Sequence, residues 1–116
     1  MRLETAKLVW DVDQAAGRVI AFVTGKTFDE YARDDLLRSA VERQLEIVGE
    51  ALAQLRRMDP EVAERVPDLR RIVDFRNLLI HGYAIIDDRL VWEIAQTKVP
   101  QLVDALRLLV REGSSE

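Results

Sequence analysis

The sequence contains no cysteine, and glycine and proline are scarce, at 5 and 3 of 116 residues. The absence of cysteine excludes disulfides and thiolate metal sites, and nothing else in the composition indicates an oxidising compartment. The scarcity of glycine and proline disfavours an all-β fold, which is rich in turns. No apolar run is as long as a membrane span, and residues 1–13 lack the apolar core of a signal peptide. We therefore expect a cytoplasmic protein that makes no contact with a membrane.

The composition favours one well-packed domain. Hydrophobic residues make up 48% of the chain and charged residues 33%, which is enough for one core and a solvated surface. We predict a single helical domain over residues 1–112 and a frayed tail over residues 113–116. The formal net charge is −4, although phosphate contacts normally supply most of the affinity for RNA. If this acidic chain binds nucleic acid, the site must therefore be a local basic patch or a single cleft.

The basic residues are concentrated in the middle of this acidic chain. They form either the local basic surface that RNA binding needs or an ordinary solvated face. The residues concerned are Arg56, Arg57, Arg65, Arg70, Arg71 and Arg76.

Apolar spacing predicts two long helices in the first half of the chain. The first covers residues 3–23, where apolar residues recur at steps of three and four, and Gly25 is its expected stop. Thr27 and Glu30 form a capping-box pattern that predicts a short helix. The second long helix covers residues 35–58 and carries two apolar stripes. It is therefore covered on two sides, either at the centre of a bundle or by its own bundle and a second subunit.

The second half of the chain predicts two further long helices. Asp59 followed by Pro60 predicts a capped short helix. The third long helix is expected over residues 67–81, with Gly82 as its terminator. The last is expected from residues 87–88 to Arg111. Because Pro100 lies inside it, we predict a kink or break near residues 96–99. The fold class is therefore all-α, an antiparallel bundle of four long helices with short additional helices.

The segment from Arg76 to Tyr83 contains the candidate catalytic residues. His81 is the only histidine in the chain, and its side chain is the one whose ordinary pKa lies near neutrality. Asn77 and His81 are four residues apart and share a helix face, whereas Arg76 and His81 diverge by about 140° around the axis. The two can converge only at the helix end, in a cleft that a second subunit could complete.

These residue types suit RNA cleavage without a metal ion or cofactor. His81 can act as base or acid, Arg76 offers a planar set of donors to a phosphate, and Asn77 can orient the ribose 2′-OH or the phosphate. The expected products are a 2′,3′-cyclic phosphate and a 5′-hydroxyl. A mechanism with two histidines requires a dimer. The glutamates at 42, 46 and 50 lack a neighbouring histidine, so pairing with arginines is expected rather than metal binding.

Structural roles could also account for three residues of this segment. His81, next to Gly82, could complement the negative end of the helix dipole. Arg76 could pair with Asp74 or with a glutamate. Tyr83 could be a core aromatic residue with a satisfied hydroxyl.

Several segments in order resemble the HepT-like HEPN ribonuclease toxins of the MntA–HepT toxin–antitoxin pairs. The spacing of Arg76, His81 and Tyr83 is similar to the motif of that family. The match covers nearly the whole chain, and three further stretches carry it: residues 22–25 with 27–30, residues 43–51, and residues 91–94 with 100–102. Two positions depart from the family pattern, with Asp74 where glycine is frequent and Gln44 where asparagine is frequent.

The resemblance implies a HEPN helical bundle with metal-independent endoribonuclease activity and Arg76, Asn77 and His81 at its site. It also implies a homodimer whose two motifs face one cleft, with RNA as substrate and the assembly beyond a dimer left open. The implied partner is an MntA-like nucleotidyltransferase antitoxin that transfers AMP from ATP to Tyr83. Two alternatives are a non-catalytic, dimeric helical partner of such a nucleotidyltransferase and a helical scaffold with a degenerate site.

Overall fold

The computed structural model describes residues 1–81 and 86–114, and in this part of the chain the regular structure is helical. The all-α prediction is thus confirmed. Its elements in chain order are α1 (Leu3–Val23), α2 (Phe28–Arg33), α3 (Asp35–Met58), α4 (Pro60–Glu64), α5 (Leu69–His81), α6 (Asp88–Glu93), a π-helical turn (Ile94–Lys98) and α7 (Val99–Ser114).

Local signals fix most of the helix starts. Thr27 and Glu30 form the predicted capping box at α2, since each side chain accepts a backbone N–H of the other. Asp59 accepts the Val62 N–H at the start of α4, and Asp87 accepts the Leu90 N–H at the start of α6. The predicted bounds of α1 and α3 agree with the structure, and Gly25 follows α1 with a φ of 77°, which favours glycine.

The third helix, α3, lies at the centre of the bundle. It packs against α1 on one side and α5 on the other, and α7 packs against α1. The main stripe of α3 is buried from Val41 to Leu55. The second stripe, which includes Gln44, Ile47 and Ala51, is covered at least in part within this single chain. Of the two arrangements predicted for α3, the structure therefore shows the first, in which α3 lies at the centre of its own bundle.

Helix α5 begins at Leu69, two residues later than predicted. Asp68 has a φ of 58°, a left-handed backbone conformation that a right-handed helix cannot include. Its carboxylate lies 3.2 Å from Lys98 Nζ in the π-helical turn, and its carbonyl accepts the Ile72 N–H. The start of α5 is thus set by Asp68 and by its contact with a distant helix.

The predicted irregularity before Pro100 is a π-helical turn rather than a break. The Val99 N–H donates to the Ile94 carbonyl, one residue further back than in an α-helix. The helix then continues as α7 to Ser114, three residues beyond the predicted end at Arg111. Residues 113 and 114 of the predicted tail are therefore helical, and residues 115–116 lie outside the described part.

Among the helices of the described residues, none is both long enough and apolar enough to cross a bilayer.

Candidate functional site

Helix α5 carries the predicted catalytic residues near its carboxyl end. It is held in the bundle by its buried side chains Leu69, Ile72, Val73, Phe75 and Leu79. Arg76, Asn77 and His81 lie between and after these anchors, so the core fixes the backbone from which they project. Gly82 and Tyr83 lie outside the described residues, so the terminator role of Gly82 and the modification of Tyr83 stay predictions.

Arg76 projects from the side of α5 that packs on α3. Its side chain is only 16% exposed, and Nη1 contacts the Glu50 carboxylate of α3. Among the structural roles considered for Arg76, pairing with a glutamate is therefore the one observed. The Arg76 guanidinium therefore reaches α3 and does not extend along α5 towards the carboxyl end of that helix.

Helices α5 and α3 are in close contact at Gly49. A Cβ on residue 49 would lie 2.3 Å from the Arg76 Cβ and 2.7 Å from its Cγ, far inside van der Waals contact. It would also lie 3.4 Å from the Ile72 carbonyl oxygen. A neighbouring helix therefore approaches α3 closely at Gly49, and the stem of Arg76 occupies the space that a side chain at residue 49 would need.

Glu50 is oriented by a second contact along its own helix. The Gln54 amide donates to Glu50 Oε1 at 3.3 Å, while Oε2 is the oxygen that Arg76 contacts. Glu50 remains 49% exposed, so this ion pair lies at the surface. Arg76 Nε, in contrast, is buried and has no hydrogen-bond acceptor among the described residues.

Asn77 and His81 lie on a different side of α5 from Arg76. Both are exposed, and the helical repeat places them about 100° and 140° around the axis from Arg76. The structure therefore brings Asn77 and His81 to one exposed face, which Arg70 and Asp74 share. Arg76 is directed towards α3 instead, so the three predicted residues are not gathered at one point along this helix.

The basic residues are only partly neutralised. Arg65 pairs with Glu112. Within residues 1–81 and 86–114, no ion pair involves the exposed arginines at the end of α3 and the start of α5, namely Arg56, Arg57, Arg70 and Arg71. In the same part of the chain, Asp74 forms no ion pair with Arg70 or Arg71 either. Positive charge is thus available beside the exposed face of α5.

The glutamates of α3 act as charge partners of arginines. Glu46 lies 3.2 Å from Arg43, and Glu50 pairs with Arg76, as the sequence predicted for this row. Burial raises the pKa of Glu42, Asp88 raises it further, and Arg38 opposes the shift. In the described residues, no group of three or more acidic or histidine side chains is placed to hold a metal ion.

Two grooves lie near the candidate residues without including them in their walls. A groove of about 360 Å³ runs between α5 and the α6–π-turn segment, lined by Arg71, Leu78, Leu90 and Lys98 among others. A second, of about 300 Å³, runs between α1 and α3 and is lined in part by Glu50 and Gln54. The first groove leaves one side of α5 open in the single chain, and the second opens beside Glu50 on α3.

The sequence predicted a glutamate as one possible partner of Arg76 and arginine partners for the glutamates of α3, but it did not identify Glu50 as the partner of Arg76. The pairing of Glu50 with Arg76 joins residues on two helices, so no periodicity within either helix indicates it. The available signal was Gly49, because a glycine inside a long helix marks a close approach. That signal indicates a contact, but it does not say which residue of the neighbouring helix makes it.

Comparison with known proteins identifies the family of the chain. The family model described as Ribonuclease HepT-like matches residues 12–109. "Putative RNase MJ1380" of Methanocaldococcus jannaschii is 34% identical over 96 residues, covering 81% of this chain and 85% of that protein. "Putative RNase TTE0752" of Caldanaerobacter subterraneus subsp. tengcongensis is 31% identical, covering 81% of this chain and 83% of that protein.

A further relative bears the family's name. "Probable ribonuclease HepT" of Thermococcus cleftensis is 29% identical over 96 residues, covering 79% of this chain and 83% of that protein. No solved structure matches the chain. The family match spans α1 to α7 and includes Arg76, Asn77 and His81. The chain therefore belongs to the HepT-like HEPN ribonucleases.

Proposed function

We propose that the protein is a metal-independent endoribonuclease that serves as the toxin of a toxin–antitoxin pair. The observation that carries the proposal is that α5, in a chain of this ribonuclease family, presents two of the candidate catalytic side chains on one exposed face. There the only histidine of the sequence, His81, shares a side of the helix with Asn77. An exposed imidazole can reach a large polymeric substrate, whereas a buried one cannot.

The proposed reaction is an in-line transfer at one RNA phosphate. A base removes the proton of the ribose 2′-OH, the 2′-oxygen forms a bond to phosphorus, and the bond to the 5′-oxygen breaks as an acid protonates it. His81 supplies the imidazole, Asn77 orients the ribose or the phosphate, and Arg76 stabilises the charge on the phosphoryl oxygens. The products are a 2′,3′-cyclic phosphate and a 5′-hydroxyl end.

A homodimer is part of the proposal, and two observations support it. One chain has one imidazole, although the reaction uses both a base and an acid. In addition, Arg76 and His81 project from different sides of α5, so one helix does not direct both side chains at the same phosphate. A second copy of the chain would supply the missing guanidinium or imidazole. The two motifs would then border one shared cleft.

The proposed regulation acts on Tyr83. An MntA-like nucleotidyltransferase partner would transfer AMP from ATP, with the phenol oxygen of Tyr83 bonding to the α-phosphorus and pyrophosphate leaving. Tyr83 is two residues from His81 in the sequence. An added phosphodiester brings negative charge and bulk beside a phosphate-binding site, so RNA binding would be weakened.

Cleavage of RNA by the purified protein in the presence of a chelator tests the activity. Wild type should produce cyclic-phosphate ends, and His81→Ala should lower the rate by about 100-fold or more. Glu61→Gln, on the exposed surface of α4, is the matched control and should cleave like wild type. Equal cleavage by His81→Ala and wild type would remove the catalytic claim.

A second candidate is a non-catalytic, dimeric partner subunit of a nucleotidyltransferase. The observations that favour it are the net charge of −4, which repels phosphate, and the pairing of Arg76 with Glu50, which occupies part of the guanidinium. Purified protein that binds the nucleotidyltransferase but cuts no RNA at any salt concentration would support this candidate.

A further inference from the structure

The pairing of Arg76 with Glu50 is a contact between two helices, not a local one. Arg76 leaves α5 towards α3, and Nη1 contacts Glu50 Oε2. Only part of the guanidinium is used in this way, because the group carries five N–H donors. Donors on the terminal nitrogens therefore remain for a second anion, at a surface where Glu50 itself is about half exposed.

Both ends of the Arg76 side chain are held. Gly49 leaves the space in which the Arg76 Cβ and Cγ lie, since a Cβ at residue 49 would be 2.3 Å and 2.7 Å from them. Glu50, the next residue of α3, holds the other end. Adjacent residues of one rigid helix thus fix the stem and the head of the arginine, which reduces the rotamer freedom that it would lose on binding a phosphate.

Glu50 is itself held by Gln54. The amide of Gln54 donates to Oε1, which leaves Oε2 directed at Arg76. Gln54, Glu50 and Arg76 therefore form a row of hydrogen-bonded polar groups from α3 to α5. The neighbouring Glu46 belongs to a different pair, with Arg43 on its own helix.

We propose that Glu50 is a positioning residue that holds the Arg76 guanidinium in place for the scissile phosphate of RNA. This rests on the proposed function, because it takes Arg76 as the group that binds that phosphate. Glu50 touches no substrate in this proposal. It acts through Arg76, and Gly49 and Gln54 complete the support. If Glu50 instead competed with the phosphate for Arg76, removing its carboxylate would speed RNA cleavage rather than slow it.

The kinetic test compares Glu50→Ala and Glu50→Gln with Glu46→Ala as the matched control. Glu50→Ala should lower kcat by about 10- to 100-fold, because a catalytic group displaced by about 1 Å loses rate on that order. Glu50→Gln keeps an acceptor at the same reach and should retain more activity than Glu50→Ala. Glu46→Ala should behave like wild type. Faster cleavage by Glu50→Ala, or rates equal to those of Glu46→Ala, would overturn the proposal.

A spectroscopic readout separates this proposal from the proposed function. The Arg76 Nε–H is buried, so its exchange with water should be slow in wild type. Exchange should become several-fold faster in Glu50→Ala, where the guanidinium is released, and stay unchanged in Glu46→Ala. Unchanged exchange in Glu50→Ala would refute positioning. A wild-type protein that cuts no RNA would refute the proposed function, while the exchange measurement would still decide whether Glu50 holds Arg76.

Melting temperatures complete the test. Because Glu50 is about half exposed, Glu50→Ala should stay folded, with a melting temperature somewhat below that of wild type since the largely buried Arg76 loses its partner. A loss of activity that simply follows a loss of folded protein, in both Glu50→Ala and Glu50→Gln, would count against a positioning role.

Discussion

Gly49 and Arg76 occupy one contact between α3 and α5, in which the missing side chain of the first makes room for the stem of the second. A Cβ on residue 49 would lie 2.3 Å from the Arg76 Cβ, and the Ile72 carbonyl oxygen behind it would be 3.4 Å away. A methyl group therefore cannot be added here unless the two helices separate. The packing of the bundle and the position of the candidate phosphate ligand thus depend on the same glycine.

Gly49→Ala should destabilise the protein by about 1–3 kcal/mol, the usual range for forcing an extra group into a packed contact. It should also lower activity, because Arg76 shifts with α5. Urea unfolding and RNA cleavage measure the two effects. Gly17→Ala is the control, since nothing lies within 4 Å of a Cβ at that helical position. It should stabilise α1 by about 0.5–1 kcal/mol, and a matching gain in Gly49→Ala would contradict the contact described.

Glu42→Gln should raise the melting temperature at neutral pH. Burial and the nearby Asp88 raise the pKa of Glu42, so its ionised form is disfavoured in the folded state. The folded state therefore loses stability as pH rises from the ordinary glutamate range through the raised value. The advantage of glutamine should be largest at pH 7 and shrink towards pH 4. Melting curves across this range measure it.

Glu30→Gln is the matched variant of Glu42→Gln, and it should change the melting temperature at neutral pH in the opposite direction. The Thr27 backbone hydrogen bond lowers the pKa of Glu30, so this carboxylate stabilises α2 above its ordinary pKa and loses that effect as pH falls. Glu30→Gln should lower the melting temperature at pH 7, with a smaller difference in acid. If both glutamines changed stability in the same direction at pH 7, the assignments of charge and burial would be wrong.

Thr5→Val should destabilise the protein by about 1 kcal/mol, the typical net value of one hydrogen bond. Thr5 is fully buried, and its hydroxyl donates to Asp59 Oδ2 at 2.7 Å. This hydrogen bond lowers the pKa of Asp59, so the loss should be larger at neutral pH than in acid. Urea unfolding at the two pH values measures it. Thr24→Val, at an exposed hydroxyl, should have a smaller effect.

Co-expression with the proposed nucleotidyltransferase should add AMP to Tyr83. Mass spectrometry of peptides should find the adenylate on the peptide that contains Tyr83 and lose it in Tyr83→Phe. Tyr31 is the internal control, because it is fully buried and cannot reach another enzyme's active site while the protein is folded. Adenylate that persists in Tyr83→Phe would place the modification elsewhere.

Helix positions could be predicted where the signals are local. The capping box at Thr27 and the apolar stripes of α1 and α3 are contained in short stretches of sequence, and the structure confirms them. The start of α5 could not be predicted, because the left-handed backbone of Asp68 is accompanied by an ion pair with the distant Lys98. Tertiary contacts of this kind leave no periodic signal.

In the candidate site, too, local geometry could be predicted from sequence, whereas contacts between helices could not. Helical geometry alone predicted that Arg76 and His81 diverge by about 140°. It could not predict that Arg76 turns to Glu50, because that choice depends on how closely α3 approaches α5 at Gly49. The catalytic roles of Arg76, Asn77 and His81 and the modification of Tyr83 stay predictions for the experiments above.

The π-helical turn at Ile94–Lys98 has a consequence for how chains of this fold can differ in length. A π turn accommodates one residue more than an α turn while the helix on either side keeps its path. A homologue with a single-residue gap at this place could therefore superimpose on this structure both before and after it. An alignment gap inside this long helix would not, by itself, indicate a change of fold.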